Sequence, residues 1–119
     1  MLLVDDNHFV REAVATAIYD DTRFAVIGEA ASGEEAIESA RRLRPSLILM
    51  DINLPGISGI EATRKIRAEH PDLRVVGLSV QNDPETRRSM LEAGAEALLC
   101  KAGDFSDFLE RLFYNKQTP

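Results

Sequence analysis

The sequence predicts an α/β protein of the (βα)5 type, a doubly wound parallel sheet with helices on both faces. Three observations carry that prediction. Four short aliphatic runs recur along the chain: Leu2-Leu3-Val4, Leu47-Ile48-Leu49-Met50, Val75-Val76-Gly77-Leu78 and Ala97-Leu98-Leu99-Cys100. They are apolar throughout, as strands buried on both faces require. Segments of helical spacing alternate with them, and short connections with right-handed crossovers turn such alternation into a parallel sheet. Each run also ends on polar residues: Asp5 and Asp6, Asp51, Ser79, and Lys101. In an open parallel sheet the carboxyl ends of the strands converge on one crevice, where ligands bind.

The elements follow in order. After the first strand, Val10, Ala13, Val14, Ala17 and Ile18 are spaced as one buried helix face over residues 7–19. Residues 24–30 form a mixed run with Glu29 inside it, which suits an edge strand. Ser32-Gly33-Glu34-Glu35 has the capping-box form and opens a helix carrying Ala36, Ile37, Ala40 and Leu43, which Pro45 keeps from running into the third strand. Ser58-Gly59-Ile60-Glu61 repeats the pattern and starts a third helix ending near His70-Pro71. Asp83-Pro84 places a cap residue before a proline suited to a first helical position, and Gly94 closes that fourth helix. A fifth helix follows, with Phe105, Phe108, Leu109, Leu112 and Phe113 on one stripe. Residues 114–119 read as a polar tail or the start of a linker. Alternation turns Cys100 away from Lys101 and into packing.

Bulk properties narrow the function. The 119 residues fit one domain that buries roughly two thirds of its unfolded surface. A composition 45% hydrophobic and 29% charged is globular rather than disordered. The net charge of −6 argues against direct nucleic-acid binding by this domain, since phosphate contacts need clustered Lys and Arg. No run approaches the length of a membrane helix, and no signal peptide is evident. A single cysteine can form neither an internal disulfide nor a zinc cluster, so a reducing cytoplasm is the expected location.

The chemistry of the strand ends is specific. Asp5, Asp6 and Asp51 bring three negative charges against the one positive charge of Lys101. Each like pair a few ångströms apart costs roughly 1–4 kcal/mol near a surface. A divalent cation balances the excess, and hard oxygen ligands favour Mg²⁺, with Mn²⁺ as the substitute. A carboxylate such as Asp51 can attack phosphorus to give an aspartyl phosphate. Phosphoryl transfer needs mostly positioning and charge neutralisation, which Mg²⁺ and Lys101 supply to the equatorial oxygens. Ser79 offers a hydroxyl donor to a third oxygen, and Asn53 a backbone carbonyl to the metal.

Taken together, Leu2-Leu3-Val4-Asp5-Asp6, Leu49-Met50-Asp51-Ile52-Asn53-Leu54-Pro55-Gly56, Gly77-Leu78-Ser79 and Lys101 resemble the receiver domain of bacterial two-component response regulators. The resemblance covers residues 1–113. Arg44-Pro45-Ser46-Leu47, Gly59-Ile60-Glu61-Ala62-Thr63 and Glu92-Ala93-Gly94-Ala95 are most like receivers that precede a helix-turn-helix output domain. It implies a flavodoxin-like sheet in strand order 2-1-3-4-5 and Asp51 as acceptor of a phosphoryl group from a sensor histidine kinase or phosphotransfer protein. It implies that Asp6, Asp51 and the Asn53 carbonyl bind the metal directly, with Asp5 acting through water, while Lys101 and Ser79 contact the phosphoryl group. The change would pass to the surface of the fourth helix, fifth strand and fifth helix, to control an output domain, a partner or a homodimer. Arg87 and Arg88 lie on that helix, which has a thin apolar face.

Three positions depart from the usual receiver pattern. Ala102 stands where proline commonly follows the lysine, so a trans bond is expected there. Leu98 replaces the aromatic residue that commonly acts as a rotating switch, and Val80 replaces a smaller residue beside Ser79. The alternative reading is a phosphate-independent interaction module, but such chains usually lose an acid or the lysine. An aspartyl-phosphate hydrolase would want a second acid two residues after Asp51, where this chain has Asn53.

Overall fold

In the computed structural model, residues 1–19, 21–80 and 83–100 are described. Their elements are β1 (Leu2–Val4), α1 (His8–Ile18), β2 (Gly28–Ala30), α2 (Gly33–Leu43), β3 (Leu47–Asp51), α3 (Gly59–Glu69), β4 (Arg74–Ser79), α4 (Pro84–Glu92) and β5 (Ala97–Cys100). All strand pairs are parallel, in the order β2-β1-β3-β4-β5, which is the order the resemblance implied. The register levels the carboxyl ends. Val4 lies beside both Ala30 and Met50, Asp51 beside Leu78, and Ser79 beside Cys100. The expected fifth helix, Lys101 and Ala102 lie outside the described residues.

Side-chain alternation along the strands divides the core in two. Leu2, Val4, Ile48, Met50 and Val75 face one side, against Ala36 and Ala40 of α2, Ala62 and Ile66 of α3, and Met90 of α4. Met1, Leu3, Leu47, Leu49, Val76 and Leu78 face the other, against Val14 and Ile18 of α1. Helices therefore cover both faces, as continuous apolar strands demand.

Caps fix where the helices begin. The side chains of Asn7, Ser32, Ser58 and Asp83 each accept a backbone N–H from the first turn that follows, satisfying a donor the helix cannot. Both capping boxes are only half formed. Glu35 reaches back to the N–H of Ala31 at 3.3 Å, and Glu61 pairs with Arg64. Asp83 accepts from both the N–H and the hydroxyl of Thr86, which hold its carboxyl below the usual range. After α4 the chain reverses through Gly94 at φ +116, where a Cβ would also meet the Arg67 side chain at 2.8 Å.

The two sheet edges differ from expectation. The strand expected over residues 24–30 is paired in register over Gly28–Ala30, and Met1 carries the contact further back, accepting the Ile27 N–H at 3.0 Å and donating its amino group to the Ala25 carbonyl. The turn comes before it, at 21–24: Phe24 N–H donates to the Asp21 carbonyl, and Arg23 grips the Asp21 carboxylate, pulling its pKa down to about 2. At the other edge, β5 is not buried on both faces. Ala97 and Leu99 are half-buried, and Cys100 is exposed rather than packed in the core. Cys100 ends an edge strand with β4 alone as its described neighbour, so alternation sets its direction without covering it.

Candidate functional site

The end of β1 is built largely from backbone contacts. Asp5, 3% exposed, extends the ladder by donating its N–H to the Ala30 carbonyl at 3.0 Å. Its Oδ1 accepts the Asn7 N–H at 2.9 Å, just before Asn7 caps α1. Between these anchored neighbours, Asp6 stands exposed. Arg11, one turn into α1, donates Nη1 to the Asp5 carbonyl at 2.6 Å and Nε to Glu29 Oε1 at 2.9 Å. One guanidinium thus ties the end of β1 to the edge strand.

Asp51 closes β3 and is likewise 3% exposed. Its Oδ1 accepts the N–H of Asn53 at 3.3 Å. Just beyond it, Ile52 donates its N–H to Leu78 at 3.2 Å and accepts the Gly59 N–H at 2.9 Å, which docks α3 directly on the strand end. Gly59 permits that approach. A Cβ there would fall well inside contact distance of the Asp51 carbonyl oxygen and 2.8 Å from Ile52 Cα, both backbone atoms. The loop from Asn53 to Ser58 is met by the start of α2, where Glu34 Oε1 accepts the Ile57 N–H at 3.0 Å.

These constraints bring one carboxylate oxygen from each of Asp5, Asp6 and Asp51 within 4.8 Å of one another. At such separations each like-charged pair costs roughly 1–4 kcal/mol near a surface, so the cluster favours a cation. The donors are hard oxygens on fixed strand ends with one exposed member, which fits Mg²⁺ with retained water. Ser79, 3% exposed, ends β4, one residue past the position paired with Asp51. Lys101 lies outside the described residues; the residue before it, Cys100, pairs with Ser79. Val80 follows Ser79 and is 64% exposed.

The residues expected at the signalling surface separate. Arg88 is exposed and Arg87 half-buried on α4, near Leu91. Leu98 is not at the surface; it is buried in the core with Met90. Gly77 on β4 leaves the room it occupies, since a Cβ there would lie 2.9 Å from Leu98 Cδ1. Sequence reading missed Arg11, Glu29, Glu34 and Gly59. These residues shape the site through backbone contacts, through the Arg11–Glu29 ion pair or through an absent side chain, and a pattern of chemically reactive residues contains no signal for them.

Comparison with known proteins is consistent with this geometry. The response regulator receiver domain family matches residues 1–113. Response regulator GacA of Pseudomonas viridiflava is 39% identical over 113 residues, covering 94% of this chain and 52% of that protein. The nitrate/nitrite response regulator NarL of Escherichia coli K12 is 38% identical over 112 residues, again 94% of this chain and 52% of the relative. The chain spans about half the length of these curated relatives. Among solved structures, a LuxR-family two-component response regulator from Aurantimonas superposes with a TM-score of 0.90 at 33% identity, covering 95% of this chain and 81% of that one. The CheX-CheY-BeF3-Mg complex from Borrelia burgdorferi gives 0.91 at 25% identity, covering 98% and 88%.

Proposed function

The chain belongs to the response regulator receiver domain family, and on that premise we propose that Asp51 accepts a phosphoryl group in a Mg²⁺-dependent step. The observation that carries this reading is the convergence of the Asp5, Asp6 and Asp51 carboxylates within 4.8 Å at adjacent strand ends, with buried Ser79 on the next strand. Asp6, Asp51 and the Asn53 carbonyl would hold a Mg²⁺, with Asp5 acting through water, and the ion would supply charge neutralisation to the phosphoryl oxygens. The Mg²⁺ in the Borrelia complex supports the assignment of the ion.

The chain's own residues do the rest. The Asp51 carboxylate oxygen forms the new O–P bond as the P–N bond of a phosphohistidine donor breaks. The bonding pair leaves with the imidazole, which departs neutral when its other nitrogen carries a proton. Ser79 donates its hydroxyl to one phosphoryl oxygen and Lys101 its ammonium to another. With Asn53 in place of a second acid two residues after Asp51, no general acid/base stands ready to hydrolyse the product. The domain is therefore an acceptor with slow self-dephosphorylation, not an enzyme with turnover.

Its donor is a sensor histidine kinase or phosphotransfer protein in the cytoplasm. The phosphorylated state is relayed to the face that carries α4 and β5. In a full-length regulator that face governs a transcriptional output domain or pairs two copies. No helix among the described residues is long and apolar enough to cross a membrane. The phosphate-independent module is disfavoured because all five groups of the acidic site are retained.

Incubation with acetyl phosphate and intact-mass measurement tests the proposal. One phosphoryl group is expected with Mg²⁺ and none with a chelator; an adduct indifferent to Mg²⁺, or no adduct, counts against it. A second measurement concerns access to Asp51. Val80 projects beside Ser79 with most of its surface in solvent, and Val80→Ala is expected to speed phosphoryl uptake several-fold. Equal rates would show that this side chain does not restrict entry.

A further inference from the structure

We infer that Glu34 is a positioning residue for the metal site, acting as a clasp that holds the loop carrying Asn53. The inference rests on the reading that the Asn53 carbonyl serves the cation. The loop between Asp51 and Gly59 is anchored at both ends, by Asn53 N–H on Asp51 Oδ1 at 3.3 Å and by Gly59 N–H on the Ile52 carbonyl at 2.9 Å. Between those ends lies the contact from α2, in which Glu34 Oε1 accepts the Ile57 N–H at 3.0 Å.

The steric fit around this contact is independent of the hydrogen bond. A Cβ on Gly56, at φ +76, would lie 2.5 Å from Glu34 Oε2 and 2.7 Å from Oε1. On the helix side, a Cβ on buried Gly33 would lie 2.5 Å from Ile57 Cγ1 and 3.0 Å from the Ile57 carbonyl. Two glycines, one on each side, thus let the start of α2 and the loop interlock, with the Glu34 carboxylate seated where any other residue at 56 would place its side chain. Groups that orient a metal ligand commonly change affinity about 10–100-fold when removed. A loop released at Ile57 would let the Asn53 carbonyl wander while Asp51, fixed on β3, stays in place.

Glu34→Ala and Glu34→Gln separate the clasp from simple charge, because glutamine keeps an acceptor oxygen and loses the negative charge. Titration with MgCl2 by calorimetry is expected to show about tenfold weaker binding for Glu34→Ala and near wild-type binding for Glu34→Gln. Hydrogen exchange at the Ile57 amide should quicken only in the alanine variant. Gly56→Ala reaches the same contact from the loop side and should weaken Mg²⁺ binding as Glu34→Ala does. Unchanged Mg²⁺ affinity in Glu34→Ala overturns the inference, as does a glutamine variant as weak as alanine, which would assign the effect to charge. If Asp51 is not the acceptor, either no adduct forms or Asp51→Asn still takes one up, whereas the binding and exchange measurements still report on the clasp.

Discussion

Asp51→Asn is expected to abolish phosphoryl uptake from acetyl phosphate while leaving a folded protein. Asparagine matches aspartate in shape, so the strand end and the Asn53 N–H keep an oxygen acceptor at the same place. Its neutral amide is no nucleophile toward phosphorus, and the acyl phosphate cannot form. The same change removes one of three negative charges that lie within 4.8 Å. Asp51 belongs to two of the like pairs, each costing roughly 1–4 kcal/mol, so the metal-free variant is expected to gain about 2 kcal/mol or more over wild type, seen as a melting temperature several degrees higher. Mg²⁺ should then raise that temperature less than it does in wild type. A variant that still takes up phosphate would move the acceptor elsewhere, and one that is less stable without metal would mean that the cluster is not strained by its own charge.

Gly59→Ala is expected to be the most damaging conservative substitution near the site. The added methyl group would press on the Asp51 carbonyl oxygen and on Ile52 Cα. Backbone atoms paired into the sheet cannot swing aside as a long side chain can, so either α3 retreats or the end of β3 moves. Overpacking of this kind costs about 1–3 kcal/mol, and a backbone clash belongs at the upper end. Because the displaced residue is the proposed acceptor, uptake at saturating Mg²⁺ should slow as well. Ser58→Ala is the control. It removes the cap that accepts the Glu61 N–H at 3.2 Å, should cost about 1 kcal/mol, and should leave the uptake rate alone. Denaturant melts and rates on the two variants check the pair of expectations; Gly59→Ala with wild-type stability and rate would contradict the account of how α3 sets the strand end.

Legibility from sequence varied with the physics of each element. The inner strands announce themselves because burial on two faces admits only apolar residues, and helix starts because a cap needs a short polar side chain. Strand order is different. Periodicity does not encode which strands are neighbours, and here the order came from family resemblance. The edges are less legible for a related reason: how far β2 pairs in register depends on how much of β1 faces it, and the exposure of Cys100 on what lies beside β5, neither of which is local. Leu98 stands at a position that the family resemblance marks as a switch, and the room left by Gly77 seats it in the core.

The acidic cluster is legible because strand ends converge, so the topology alone assigns residues distant in sequence to one place. What holds the cluster was not legible. Arg11 acts on a carbonyl, Glu34 on an N–H, and Gly59 by having no side chain. Such contacts depend on where two backbones meet, and the residue types involved occur at many other positions in the chain.

Asp51 alone is expected to carry the phosphoryl group, and the direct measurement is to locate it. Protein treated with acetyl phosphate and Mg²⁺ is reduced with borohydride, which cuts acyl phosphates to the alcohol, then digested and sequenced by mass spectrometry. The expected result is a reduced residue at position 51 and unmodified Asp5, Asp6 and Ser79. Reduction at Asp5 or Asp6, or a phosphoryl group retained on Ser79, would contradict it.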